Sequence, residues 1–367
     1  MTPYVTPTDL LGDPVAPSSI TGPNDQATLG VNFSAISVQR LWEMCHVATA
    51  MVDAIAAQTL RGDSVYEELS GPSQRLAYTP QGWRFVTARK PLLVPISGQG
   101  AYGQPPWQWN PIPIANIVLA QPPFSNFTSA SWEAADPGIA AFLIGGSGFG
   151  PSNMRMGIRY LSGWPVTGLL PSSSTSATFT ASSDSVTVVS VTGIAVGAPV
   201  TAAQLPLGTT VTGVTGDVLT LSNTASVSGT GVLTVGYAPG VSVFNVDDIT
   251  TWGLGVRGTI YDGLNTESAT SLSVSGTTMT PTPVGPGTIT LTAPTIYGHL
   301  PEVAFSAMPG VIRWATMLAV KVQALERGST AVTAQSTPGR STSGGGSAID
   351  RTNAAIMQML LPYRRVW

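Results

Sequence analysis

Apolar residues recur at helical spacing near the beginning of the chain. Steps of three and four residues predict an amphipathic helix from about Ser34 to Gly62, because glycine after a cationic residue is typical of a helix end. The apolar stripe of this helix consists of Leu41, Cys45, Ala48, Val52 and Ile55. The preceding residues 1–33 are rich in Pro, Gly, Ser and Thr and have no sustained period, which predicts an extended N-terminal arm.

Two further helical patterns lie near the other end of the chain. Pro309 suits the first position of a helix, and the apolar spacing after it predicts a helix that ends at Arg327. Residues 329–346 are rich in Gly, Ser and Thr, which predicts a flexible linker. Residues 347–367 predict a short C-terminal helix, stopped by Pro362, and a tail.

Between the helical patterns the chain indicates strands. Residues 83–94 favour strands with a bend at Pro91, and Met154–Tyr160 alternates well enough for another strand. Residues 99–127 are rich in proline and contain Trp107 and Trp109. Because proline disfavours helices and central strands, this segment predicts a long loop that packs its own aromatic rings or presents them to a partner.

The composition changes sharply after Pro171. From there to Val246 the only charged residues are Asp184 and Asp217, while Thr, Ser, Val and Gly dominate. Short Val/Thr segments between glycine-containing turns are typical of a small β-sandwich or barrel. We therefore expect an α+β protein with a helical core split between residues 34–170 and 301–328, extended termini, and a large all-β insertion at 171–300.

Charge and cysteine content narrow the classes of function. Charged residues make up 10% of the chain, against about 25% in a typical soluble protein. The formal net charge of −3 disfavours a dedicated nucleic-acid binder. The chain has one cysteine and two histidines, which is too few for an internal disulfide or a common structural zinc site. No apolar run reaches 18 residues and no signal peptide is recognisable, so we expect an intracellular product without membrane association.

Candidate catalytic features are weak. Cys45 fits a buried small hydrophobe, and His299 fits a structural histidine in a turn. The glycines at 253, 255 and 258 match a dinucleotide-binding spacing, but the residues after them indicate strand and turn. The adjacent pairs Glu67–Glu68 and Asp247–Asp248 are expected on the solvated surface. We therefore expect no enzymatic activity, no cofactor and no metal.

The C-terminal residues offer a partner-binding surface. Aromatic and arginine side chains are enriched at interface hot spots, and a phosphate backbone is the alternative ligand for the arginines. A lone short helix with one apolar stripe is marginal, so we expect burial against another chain. The alternative is that the helix folds back onto the core of its own subunit as an ordinary terminal helix. The predicted partner-binding residues are Ile356, Met359, Leu360, Tyr363, Arg364, Arg365 and Trp367, together with Trp107 and Trp109 of the proline-rich segment.

Four stretches occur in an order that resembles the head–tail adaptor (connector) proteins of long-tailed bacteriophages. These stretches are Ala88–Val94, Arg159–Trp164, Pro309–Ala315 and Leu360–Val366, which read ARKPLLV, RYLSGW, PGVIRWA and LLPYRRV. The segments 99–127 and 171–300 depart from the family and resemble insertions, the second similar to Gly/Thr-rich modules of phage virion proteins.

The resemblance implies a structural virion protein that forms a ring, usually of twelve copies. Such a ring binds the portal on one side and a tail-side neck protein, a stopper or tail terminator, on the other, and genomic DNA passes through it non-specifically. The expected location is the virion neck, after assembly in the host cytoplasm. The alternative is a head-decoration or tail-surface β protein that binds a capsid or host surface; a cell-wall hydrolase is a third possibility without a nucleophile–base arrangement to support it.

Overall fold

The computed structural model shows a mostly β protein with a few helices. It describes residues 2–11, 31, 33, 36–71, 73–80, 82–89, 91–102, 106, 108–119, 141–145, 154–253, 255–278, 284–326 and 345–365. Twenty strands and four α-helices lie within these residues. Their buried apolar side chains form four separate clusters, which divide the described chain into a helical unit, a β-sandwich and two further β units.

The helical unit combines both ends of the chain. Its helices are α1 (Pro7–Leu11), α2 (Val38–Ala56), α3 (Gly310–Glu326) and α4 (Gly345–Leu360). The predicted helices are confirmed in type, and α3 agrees with its predicted bounds within one residue. Helix α2 begins after the cap Ser37, whose hydroxyl accepts from Arg40 N.

Helix α2 ends earlier than the predicted stop at Gly62. Ala57 takes the left-handed conformation that closes the helix. Asp53 Oδ1 then accepts from the backbone N–H of Leu60 at 3.0 Å, and the Tyr4 hydroxyl accepts from Arg61 N at 3.0 Å. These side chains satisfy backbone donors outside the helix, so the chain turns away before the glycine.

The predicted extended N-terminal arm is wrong for residues 2–11. This segment contains α1, and Tyr4, Val5 and Leu10 are at most 1% exposed in the core of the helical unit. Arg313 of α3 holds it by donating to Tyr4 O at 2.7 Å and to Asp9 Oδ1 at 2.8 Å. Periodicity missed the segment because five helical residues are too few to show a repeat.

The described residues between 63 and 162 form a β-sandwich of two four-stranded antiparallel sheets that share one apolar core. The first sheet has the order β1-β8-β4-β5 and the second β2-β3-β7-β6. Their strands are β1 (Asp63–Gly71), β2 (Leu76–Thr79), β3 (Gly82–Val86), β4 (Leu92–Tyr102), β5 (Asn110–Ile112), β6 (Ile117–Leu119), β7 (Ala141–Ile144) and β8 (Met154–Ser162).

The predicted long loop at 99–127 is therefore wrong for its described part. Residues 99–102 end β4, and β5 and β6 follow within the same segment. Proline is tolerated here because Pro111 lies in β5, an edge strand, where no second neighbour needs its missing N–H. Residues 103–105, 107 and 120–127 lie outside the described residues.

Residues 173–235 form a β module with its own six-stranded sheet and core. The sheet has the order β12-β15-β10-β11-β14-β13. Its strands are β10 (Ser173–Phe179), β11 (Ser185–Val188), β12 (Val200–Thr201), β13 (Val211–Thr215), β14 (Val218–Leu221) and β15 (Gly229–Val235). This part of the chain has the all-β character that its composition predicts.

The remaining β unit crosses both predicted boundaries of the insertion. Its sheet order is β16-β19-β18-β17-β20-β9, with β9 (Val166–Gly168) before residue 171 and β20 (Ala304–Ser306) after residue 300. The other strands are β16 (Val243–Val246), β17 (Arg257–Tyr261), β18 (Glu267–Thr278) and β19 (Val284–Leu291). A predominantly helical core at 34–170 and 301–328 is thus not what these residues form, because more of the described ones lie in strands than in helices.

Candidate partner-binding surfaces

The C-terminal helix packs on its own chain. Ile356 and Leu360 are fully buried in the core of the helical unit, and Met359 and Tyr363 pack against it. The prediction of burial against another chain is therefore wrong for Ile356 and Leu360, which their own chain covers completely, while Met359 and Tyr363 are partly buried by the same core. A helical period identifies the apolar stripe but not the surface that covers it; here that surface belongs to α2 and α3.

The outer face of α4 carries apolar residues that the sequence analysis missed. Met357 and Leu361 are each 58% exposed. Residues four apart lie on the same face of a helical segment, so these two side chains form one exposed apolar strip. A signal was available in the sequence, since apolar residues at 356, 357, 359, 360 and 361 exceed what a single buried stripe needs.

The tail leaves the helical unit at the C-terminal end of α2. Arg365 N donates to Ala56 O at 2.8 Å, and Gln58 Nε2 donates to Tyr363 O at 2.6 Å. Arg364 is exposed and Arg365 is half-buried. Trp367 lies outside the described residues, so of the predicted tail residues Arg364 is the one the structure places on the surface.

The proline-rich segment places Trp109 on the sandwich. Trp109 is half-buried directly before β5, while Gln108 and Pro106 are exposed. Trp107 lies outside the described residues. Trp109 and the tail thus belong to different units, the sandwich and the helical unit.

The four stretches that carry the family resemblance meet around the buried Trp164. Its indole ring contacts Tyr363 in an edge-to-face pair, with 5.4 Å between ring centroids, and it shares a core with Ile312 of α3. The neighbouring Gly163 N donates to Pro91 O at 3.0 Å. Segments that are up to about 270 residues apart in sequence therefore form one contiguous structural feature.

The close approach of the end of β8 to the chain at Arg61 requires glycine at position 163. Its φ of +97° lies in a region that favours glycine, and a Cβ at this position would stand 2.2 Å from Arg61 O. The backbone of β8 can therefore turn against the end of α2 only with glycine here. This requirement gives a physical reason for the glycine before Trp164.

An apolar cleft of about 480 Å³ lies between the helical unit and the β module. It is bounded by the beginnings of α1 and α2, by the loop after β12, and by residues 300–302. Its apolar lining includes Pro7, Leu11, Trp42, Leu205, Leu207 and Leu300. Sequence reasoning missed this cleft because its walls come from several segments that are distant in sequence, and none of them has a distinctive motif.

The paired carboxylates are not simply solvated surface residues. Glu67 Oε1 accepts from the Tyr160 hydroxyl at 2.6 Å and from Ala88 N at 2.9 Å, and Glu67 also pairs with Arg75. Strand alternation directs Glu67 inwards and Glu68 outwards, where Glu68 pairs with Arg155 at 3.2 Å. The prediction is wrong for Glu67, which ties the sandwich together.

Asp247 joins the N-terminal segment to the β unit that consists of β9 and β16–β20. Its carboxylate accepts from Thr2 N at 3.0 Å, from the Thr167 hydroxyl at 2.9 Å and from Gly168 N at 2.8 Å. Partial burial raises the pKa of Asp247, but these hydrogen bonds and the charge of Arg61 outweigh burial and hold the pKa below its ordinary value. Asp247 is therefore a structural carboxylate that is stabilised in its ionised form.

Replacing Asp247 by asparagine should lower stability in a pH-dependent way. A carboxylate with a lowered pKa in the folded state stabilises the fold above its ordinary pKa of ~3.9, and this contribution is lost as the pH falls through the folded-state value. We expect Asp247→Asn to cost about 1–2 kcal/mol at neutral pH and much less near pH ~3. Denaturation of both proteins at the two pH values checks this; an equal difference at both would contradict it.

The two side chains singled out above as potentially reactive, Cys45 and His299, are buried. Burial raises the pKa of the Cys45 thiol, which disfavours the thiolate. His299 is fully buried, with its Nε2 at 2.8 Å from Glu267 and its Nδ1 at 3.5 Å from Asp262. Strand β17, not a helix, begins at Arg257 and contains the last of the glycines at 253, 255 and 258, as the strand-and-turn interpretation predicted. Neither Cys45 nor His299 is exposed to a substrate.

Within the residues placed by the structure, no cluster of three or more Cys, His, Asp or Glu side chains has a metal-binding arrangement. None of the helices among the described residues combines the length and the apolar character needed to cross a bilayer.

Comparisons of the chain with protein-family models, with curated proteins and with solved structures found no match.

Proposed function

We propose that this chain is a structural virion protein, a head-to-tail adaptor that forms a ring between the portal and the tail. The observation that carries the proposal is the meeting of the four adaptor-like stretches around Trp164. Chance matches scattered over the chain have no physical reason to converge. Stretches that pack together as one feature are expected if they form the common core of such a family.

The surface of the protein supports an assembly role. The outer strip of α4, Met357 and Leu361, is apolar and lies on a firmly packed helix, with the exposed Arg364 after it. Exposed apolar groups on an ordered element are typical of interaction sites. In the proposed ring this strip contacts the portal or a neighbouring copy, and the weakly acidic chain lets DNA slide through the channel without binding tightly.

The module 173–235 supports a second candidate function, a decoration or tail-surface protein. Val189 is 82% exposed and Val227 60% exposed, and the module carries only two charged residues. Such a surface suits binding to a capsid or a host surface. In the adaptor proposal the same module decorates the outside of the ring.

Negative-stain electron microscopy of the purified protein tests the proposal. We expect wild-type protein to form closed rings with a central channel, and the variant Met357→Lys/Leu361→Lys to fold but to lose ring formation or portal binding by at least tenfold. Val189→Lys/Val227→Lys is the matched control on the β module, because both valines are exposed and lie outside the lining of the cleft. Loss of assembly in the control but not in the α4 variant would favour the decoration function.

A further inference from the structure

The cleft of about 480 Å³ has one acidic group at its rim. Glu302 is exposed there, and Leu169 O accepts a hydrogen bond from its backbone N–H at 2.7 Å. Its φ of +65° is uncommon for a residue with a side chain. The indole of Trp42 and the leucines at 205 and 207 line the interior. The cleft thus combines an apolar interior with a fixed negative charge.

These features define the chemistry of the occupant. A cleft between ~300 and ~1,000 Å³ is large enough to enclose most of a bound group, and this cleft is within that range. An apolar or aromatic side chain would fill the interior, and a cation two or three residues away would meet Glu302. The segment 364–367 of this chain, Arg-Arg-Val-Trp, has that arrangement.

A chain cannot place this segment in its own cleft. The tail is hydrogen-bonded to Ala56, at the end of α2, through Arg365 N. The cleft is lined by Val38 and Trp42, which lie at the beginning of the same helix. The rise of 1.5 Å per residue separates Trp42 from Ala56 by about 21 Å along the axis. The two residues after Arg365 span at most ~7 Å. The occupant must therefore come from another copy.

We propose that the cleft binds residues 364–367 of a neighbouring copy, with Trp367 against Trp42 and Arg364 paired with Glu302. This inference rests on the proposed ring and specifies one of its subunit contacts. Donor and acceptor lie at opposite ends of α2, so the contact is heterologous. Heterologous contacts propagate from copy to copy and close into rings when the rotation allows it.

Disulfide cross-linking between two single variants tests this contact. Val366→Cys supplies the donor and leaves Trp367 in place, and Ala203→Cys supplies the acceptor, because Ala203 lines the cleft and is exposed. Ala195→Cys is the matched control, an exposed alanine of the same module outside the cleft lining. The native Cys45 is buried and contributes little background. We expect mixed full-length chains to cross-link at least tenfold faster with Ala203→Cys than with Ala195→Cys.

Equal cross-linking of the two acceptors would overturn the tail–cleft contact. A charge exchange tests the contact independently. Glu302→Arg should weaken subunit association about fivefold, and the additional substitution Arg364→Glu should restore it. Failure of the restoration would also count against the contact. If the wild-type protein forms rings but the variants do not cross-link selectively, the tail–cleft contact is wrong and the adaptor function is still supported. If the variants cross-link selectively but the protein forms open chains without a channel, the contact is supported and the adaptor function is contradicted.

Discussion

Replacing Arg313 by methionine should lower the free energy of unfolding of the helical unit by about 3–5 kcal/mol. Arg313 is 3% exposed and Asp9 1% exposed, so the variant leaves a carboxylate buried without its cation. It also removes the hydrogen bond to Tyr4 O and the contact of the guanidinium with the Tyr261 ring, whose centroid lies 3.3 Å away. Burial raises the pKa of Asp9 and the charge of Arg313 opposes that rise, so the variant should also favour the protonated acid.

Urea denaturation followed by far-ultraviolet circular dichroism measures this effect. Arg40→Met is the control, because Arg40 is half-exposed and its pair with Glu43 is a surface pair worth less than ~1 kcal/mol. The double variant Asp9→Asn/Arg313→Met should be more stable than Arg313→Met alone, since it removes the unpaired charge and keeps an acceptor for Thr6 N. Similar losses for the variants of Arg313 and Arg40 would refute the buried pair.

Truncating the buried side chains of α4 should destabilise the isolated monomer. Ile356→Ala and Leu360→Ala should each cost about 2–5 kcal/mol, because both side chains are fully buried among α2 and α3 residues and leave cavities. Met357→Ala is the matched control on the same helix. Its side chain is 58% exposed, and the expected loss is below ~0.5 kcal/mol.

The contrast between these variants separates two roles of one helix. Thermal denaturation of the monomer should respond to positions 356 and 360, and assembly should respond to position 357 and to Leu361. A monomer whose stability is unchanged by Leu360→Ala would mean that α4 is held by another chain, as the sequence alone predicted. Destabilisation by Met357→Ala equal to that by Leu360→Ala would contradict the described orientation of the helix.

Regular elements were predictable where a period extends over several turns. The stripe from Leu41 to Val52 is buried in the structure because a 19-residue helix repeats its apolar positions often enough to mark one face. Segment 2–11 has only ten residues and is held by Arg313, which is about 300 positions away. Such long-range polar contacts leave no local pattern.

The β part shows a similar limit. The Thr/Val/Gly composition indicated strands at 173–235. No pattern in the sequence indicated that Val166–Gly168 and Ala304–Ser306 are strands, although they complete the β unit that contains β16–β19. Three buried residues fit a strand or a loop equally well. Pro111 argued for a loop, although an edge strand accepts proline.

For the candidate partner-binding surfaces, the sequence predicted which types of residue take part but not where those surfaces lie. The tail contributes Arg364, as the sequence indicated, while the exposed strip at Met357 and Leu361 and the cleft beside Trp42 required the fold. Which side of an apolar helix is covered depends on its neighbours. A cleft with walls from several distant segments exists only after those segments have packed.

The central claim is that this chain assembles into a ring for passage of DNA. Class averages of the purified wild-type protein from electron microscopy, combined with the particle mass in solution, test it most directly. The account predicts closed rings of uniform copy number, usually about twelve by the family resemblance, with an open central channel. Particles that remain monomeric with and without portal protein, or that assemble without a channel, would contradict it.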